Sequence, residues 1–222
     1  MTTRNLEQFA IMNWSEHIRS VKKISENTNG VSLVDSDTKI FSFDEIVKCT
    51  FPHRDLPTSA DGIDFKKDEI YVVEFKSGFK QKITKDKFDE SKAKCDITKK
   101  VCGDYWGVFW ENQSLKKDQL IDSIKLKAIE SYMILEKHYF PQCSCDKEKK
   151  LVFIAVIDED GVDGIEDSMA EVAGVEVKSE NCFKSIKQAL NRLTNRSDIN
   201  GSTYLYDKVL VKSVVEYKKT LL

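Results

Sequence analysis

At 222 residues, with 41% apolar and 32% charged side chains, three prolines and nine glycines, the chain can bury one sizeable core and is neither disordered nor fibrous in composition. Its longest apolar run, Leu151 to Ile157, is seven residues, well short of a membrane span, and the opening MTTRNLEQFA has no apolar signal core, so a cytoplasmic protein is the expectation. A formal net charge of −2 excludes a globally basic nucleic-acid binder but not a local basic face.

In chain order, residues 4–26 are read as one amphipathic helix with Ile11, Trp14, Ile18 and Val21 on a stripe, closed at Gly30 by a left-handed cap. Residues 31–35 and 39–43 are read as a short hairpin across Ser36 and Asp37, residues 43–49 as a short helix, and 52–57 as a loop. The clearest hairpin lies over 61–76, where Gly62–Lys66 and Ile70–Lys76 flank a Lys67-Asp68 turn, and the second run has the β-branched and aromatic character of a strand. From Lys76 to Lys100 there are nine lysines against four acidic residues, a stretch suited to phosphate. A helix follows over about 115–139, with Ile121, Ile124, Ala128, Tyr132 and Leu135 as its buried stripe and Pro141 beyond its end. Leu151–Ile157 reads as a strand covered on both faces. Eight acidic residues and no basic one occupy 158–177, a solvated segment. A helix over 182–195 and a strand over 203–215 complete an α/β order with a mixed sheet, read as a single domain over 1–222.

The six cysteines lack paired C-x2-C spacing and are expected as reduced thiols. His17, His53 and His138 have no ligand-like spacing.

The chemistry sits in the hairpin. Glu74 and Lys76, two apart on a strand, project from one face. With a two-residue turn at Lys67-Asp68 the paired positions sum to 135, which sets Asp61 opposite Glu74, Ile63 opposite Val72, and Asp64 opposite Tyr71 on the other face. Cross-strand neighbours have β-carbons about 4.5–5.5 Å apart. Two carboxylates at that separation call for a cation between them, and a hard ion such as Mg²⁺ or Mn²⁺ suits the oxygens.

Asp61-x12-Glu74-Phe75-Lys76 resembles the signature of the PD-(D/E)xK nuclease superfamily, nearest its RecB-like branch, with the likeness spanning roughly residues 43–157. The resemblance implies a restriction-endonuclease-like αβββαβ core, in which the Asp begins the second core strand and the (D/E)xK lies on the third. Helices would flank the mixed central sheet, and residues 182–215 would add an extra C-terminal helix and strand. It implies divalent-metal-dependent phosphodiester hydrolysis, with Asp61, Glu74 and Lys76 catalytic and Mg²⁺ or Mn²⁺ held by Asp61, Glu74 and the Phe75 backbone carbonyl. An acidic residue from an upstream helix would complete the site; Glu45 is preferred over Glu16 and Glu7. DNA is the expected partner, with RNA the close variant, no membrane, and a homodimer or partner subunit compatible with either. Lys80, Lys82, Lys125 and Lys127 are the candidate nucleic-acid contacts. The chain departs from the pattern in having Ala60 rather than proline before Asp61 and no Gln-x3-Tyr in the later helix. The competing reading is a non-catalytic binding or assembly module on a nuclease-like fold.

Overall fold

A computed structural model describes residues 6–52, 56–79, 99–143, 149–158, 182–194, 197–198, 201–202 and 205–222, with the backbone alone at 99–114, 182, 197–198 and 201–202. Its centre is an open six-stranded mixed sheet, flanked by helices on both faces. The strands are β1 (Ile18–Ser20), β2 (Lys39–Ser42), β3 (Gly62–Phe65), β4 (Glu69–Lys76), β5 (Lys150–Ile157) and β8 (Lys208–Ser213), adjacent in that order. Strands β1 to β4 pair antiparallel, whereas β4, β5 and β8 run parallel. Parallel neighbours require crossovers. The first contains α4 (Lys99–Ile134) and the second α5 (Cys182–Asn191). A two-stranded ribbon, β6 (Ser197–Asp198) with β7 (Gly201–Ser202), stands apart from the sheet.

The alternation of β4 sorts its side chains between two cores. Ile70 and Val72 face the larger core, built with α1 (Leu6–Asn13), α3 (Phe43–Thr50), α4 and α5. Val73 and Phe75 face a smaller one, closed by α2 (Val21–Ile24) and α6 (Val214–Leu221). Every residue of β5 from Leu151 to Ile157 is buried, as the continuous apolar run predicts for a strand covered on both faces. The 61–76 hairpin adopts the predicted register, with Gly62 opposite Val73, Ile63 opposite Val72 and Asp64 opposite Tyr71.

The N-terminal expectation is corrected. Residues 4–26 are not one helix: α1 ends at Asn13, a 3₁₀ turn covers Ser15–His17, β1 follows, and Ser20 caps α2 by accepting from the Lys23 amide. The reason lies in the two cores. Trp14 packs in the larger and Val21 in the smaller, on opposite sides of the sheet, which one straight helix stripe cannot achieve. Ile11 and Ile18, from the same predicted stripe, are exposed. Gly30 does have a positive φ of 74°, but it turns a loop bridged by Glu26 and Ser32 rather than capping a helix. The 31–43 hairpin is likewise absent, because β2 pairs with β1. Helix α4 starts at Lys99 rather than near 115 and passes into a π turn over Leu135–Tyr139. The final strand stops at Ser213, where a capping box with Glu216 starts α6. Among the described residues no helix is long and apolar enough to cross a membrane.

Candidate active site

Strand β3 begins only at Gly62, so β4 runs on beyond it and the chain just before β3 takes the next pairing position. There Asp61 stands beside Glu74. The Asp61 carbonyl accepts the Phe43 amide at the start of α3 (3.0 Å), and its side-chain Oδ2 accepts the Phe75 amide (2.7 Å). A strand residue's N–H and C=O point to the same edge, so the Phe75 carbonyl faces the side that Asp61 occupies. The carboxylate therefore replaces the missing strand partner at this point.

Glu74 points into the larger core beneath α4 and is fully buried. Ala155, its neighbour on β5, is small enough to leave room for it. Glu74 Oε2 accepts from Lys127 Nζ at 2.9 Å, and the same ammonium donates to Asp61 Oδ1 at 3.0 Å. Glu74 Oε1 is buried with no hydrogen-bond partner, a costly state for a carboxylate oxygen. Lys76, one pleat along the same face, donates to Ser123 Oγ at 3.0 Å. All three predicted residues thus lie on the α4 side of the sheet.

Helix α4 supplies the counterpart of each. Ser123, Lys127 and Ser131 are four residues apart and share one face. Ser123 meets Lys76, Lys127 bridges Asp61 and Glu74, and Ser131 Oγ accepts the Ala60 amide at 2.7 Å. Glu130, on the same side, accepts from the amide and hydroxyl of Thr58, the latter at 2.6 Å. The segment entering Asp61 is therefore pinned to the helix that contacts Glu74. At the far end of β4, Asp158 accepts the amides of Gly78 and Phe79, both at 2.8 Å, which joins the loop after Lys76 to the end of β5.

The electrostatics follow from this burial. Desolvation pushes the Glu74 carboxyl well above the usual carboxylate range, the Asp61 charge adds to the push, and Lys127 and Lys76 oppose it. For Lys127, burial works against the ammonium, but the Glu74 and Asp61 charges outweigh it and hold the group protonated beyond the ordinary lysine range.

Two sequence expectations are corrected here. Glu45 does not join the cluster: it pairs with Arg19 at 2.8 Å and approaches His17 at 3.5 Å, because β1 runs where a helix was expected. Lys127 faces inward onto the carboxylates. Lys125, half-buried, lies about 200° away around α4 and is not part of the cluster. Glu16 is largely exposed beside His17, and Glu7 pairs with Lys149. Lys80 and Lys82 lie outside the described residues, as does most of the acidic 158–177 segment. Cys49 is an exposed thiol, and the buried Cys143 thiol donates to the Tyr139 carbonyl at 3.3 Å. The roles of Ser123, Ser131 and Asp158 were missed; the four-residue spacing of the polar positions on α4, beside its apolar stripe, was the available signal for the first two.

The donor set suits a hard divalent ion. Two carboxylates stand together, one with an unpartnered buried oxygen, and Mg²⁺ typically takes one or two carboxylates and fills its remaining positions with water and phosphate. Among the described residues no cluster of three or more His, Cys, Asp or Glu side chains forms, so any ion here would rely on that mode. No family model, no curated protein and no solved structure matches this chain.

Proposed function

We propose that the chain hydrolyses phosphodiester bonds in nucleic acid, DNA before RNA, at a PD-(D/E)xK-type site formed by Asp61, Glu74 and Lys76. One observation carries the reading: Asp61 is set beside a fully buried Glu74 that keeps an unpartnered oxygen, with Lys76 one pleat away on the same face. Nothing in core packing requires a fully buried carboxylate beside a second, partly exposed one, and binding a cation is one reason to keep such a group. The run β2, β3, β4, α4, β5, with those strands adjacent in order, supports the βββαβ part of a restriction-endonuclease-like core, with the short α3 inserted between its first two strands.

Asp61, Glu74 and the Phe75 carbonyl are the groups that would hold Mg²⁺ or Mn²⁺, which when bound polarises a phosphate and acidifies water. Lys76, steadied by Ser123, supplies a positive charge and donors toward the phosphoryl oxygens and the attacking water. Glu74 is fully buried with Ala155 beside it on β5, and exclusion of water strengthens each of these interactions.

The test is cleavage of plasmid, linear DNA and RNA with Mg²⁺ or Mn²⁺ by wild type, Asp61→Ala and Lys76→Ala. Wild-type cleavage abolished by chelator and by Asp61→Ala, and strongly reduced by Lys76→Ala, supports the reading; equal residual cleavage in all three removes it.

A second reading has its own observation. The Lys127 ammonium already bridges the two carboxylates, as a purely structural ion pair would. On that reading the chain is a non-catalytic binding or assembly module, and neither Mn²⁺ binding nor cleavage would be detected.

A further inference from the structure

We infer that Lys127 is a displaceable counter-ion of the Asp61–Glu74 pair, so that its ammonium and a divalent ion compete for the same oxygens and the ion enters only as the lysine leaves. The inference rests on reading the pair as an ion site, and concerns what occupies that site in the metal-free protein.

Three features of the geometry support it. Lys127 Nζ sits between the carboxylates, 3.0 Å from Asp61 Oδ1 and 2.9 Å from Glu74 Oε2, which is where a shared cation would lie. It uses one oxygen of each group and leaves Glu74 Oε1 without a partner. A single ammonium therefore satisfies the pair incompletely. Finally, the Lys127 side chain retains 24% exposure whereas that of Glu74 has none, so the flexible lysine has an outlet and the carboxylate does not.

Charge decides that the two cations exclude one another. Two carboxylates with one ammonium carry a net −1, and with one divalent ion they are neutral. Holding both would set like charges within a few ångströms in a buried site, where repulsion is poorly screened. Lys76 does not take the same place, because its Nζ is held by Ser123. A lysine at position 127 thus compensates part of the charge of the metal-free site, while lowering its ion affinity.

The test compares Mn²⁺ binding by calorimetry at pH 8 in wild type and Lys127→Met, which keeps the length and apolar stem of the side chain without its charge. A charged neighbour at this range commonly shifts a carboxylate equilibrium by one to three powers of ten, so Mn²⁺ binding should tighten about tenfold or more in the variant. Detectable Mn²⁺ binding in the variant alone also supports the inference. Equal or weaker binding in Lys127→Met, or binding by neither protein, overturns it. Should the variant not fold, amine acylation of wild-type protein, read peptide by peptide in the mass spectrometer, gives the same answer. Lys127 should become more reactive as Mn²⁺ is added, and unchanged reactivity throughout the Mn²⁺ series overturns the inference. Nuclease assays on the same samples separate the two ideas. Tighter Mn²⁺ binding with no cleavage by either protein retains the counter-ion and removes the nuclease; wild-type cleavage with equal affinities does the reverse.

Discussion

Asp61 Oδ2 accepts the Phe75 amide at 2.7 Å while its other oxygen accepts from Lys127, so one side chain both closes the end of the sheet and forms half of the carboxylate pair. The two roles separate by substitution. Asp61→Asn keeps an oxygen for the Phe75 amide but removes the charge and turns an amide NH₂ toward Lys127; its urea midpoint should fall modestly, and Mn²⁺ binding should be lost in calorimetry. Asp61→Ala also strands the Phe75 amide, and should cost about 1–2 kcal/mol more in the same urea titration.

Ser131 positions the approach to that residue. It is fully buried and its hydroxyl accepts the Ala60 amide at 2.7 Å. Ser131→Ala leaves a buried N–H without a partner and should cost about 1–3 kcal/mol, measured by chemical denaturation. Because Ala60 precedes Asp61, the variant should also weaken Mn²⁺ binding, whereas an exposed substitution such as Lys116→Ala should change neither.

These relationships differ in how far the sequence could disclose them. The Asp61–Glu74 register was legible because the two-residue Lys67-Asp68 turn leaves a single pairing, and side-chain alternation then assigns faces without further information. The partner of the pair was not legible. Placing Lys127 on it requires the rotational phase of α4 over the sheet, which apolar periodicity fixes only to within a residue or so. Residues 18–20 were misread for a different reason: three residues are too few to show either period, and pairing with β2, some twenty residues later, makes them a strand, while Val21 starts the separate helix α2. Glu45 was lost with them, since its partners are Arg19 within that strand and His17 just before it. The final helix was readable and overlooked, for Ser213-Val-Val-Glu216 has the spacing of a capping box.

The loop after β4 ties the site to the neighbouring strand. Gly78 has a φ of 107°, and a β-carbon there would lie 3.3 Å from Leu120 Cδ1 on α4. Gly78→Ala should therefore cost about 1–3 kcal/mol through backbone strain. Asp158→Ala removes the acceptor of the Gly78 and Phe79 amides and should destabilise by a similar amount. Since both act on one loop, the double variant should lose less than the sum of the two, as read from a denaturant double-mutant cycle.

At the opposite end of β4 lies a group whose titration can be isolated. Tyr71 is half-buried beside the smaller core, and its hydroxyl donates to Glu69 Oε2 at 2.7 Å. Burial, the hydrogen bond and charge of Glu69, and the charge of Asp64 together push the phenol up to about 12; Asp64 is itself paired with Lys66. A folded-state value above the unfolded one, about 10 for a free tyrosine, means that this contribution is fully present below pH 10 and is lost as pH rises toward 12. Tyr71→Phe should then be less stable than wild type at pH 8, by about 1 kcal/mol after allowance for solvent around the pair. That difference should shrink steadily between pH 10 and 12, because the unfolded wild-type chain ionises Tyr71 before the folded one does. Denaturant midpoints for the two proteins across this range check the sign, and a gap that widens with pH would show that Tyr71 ionises more readily in the folded protein than in the unfolded chain.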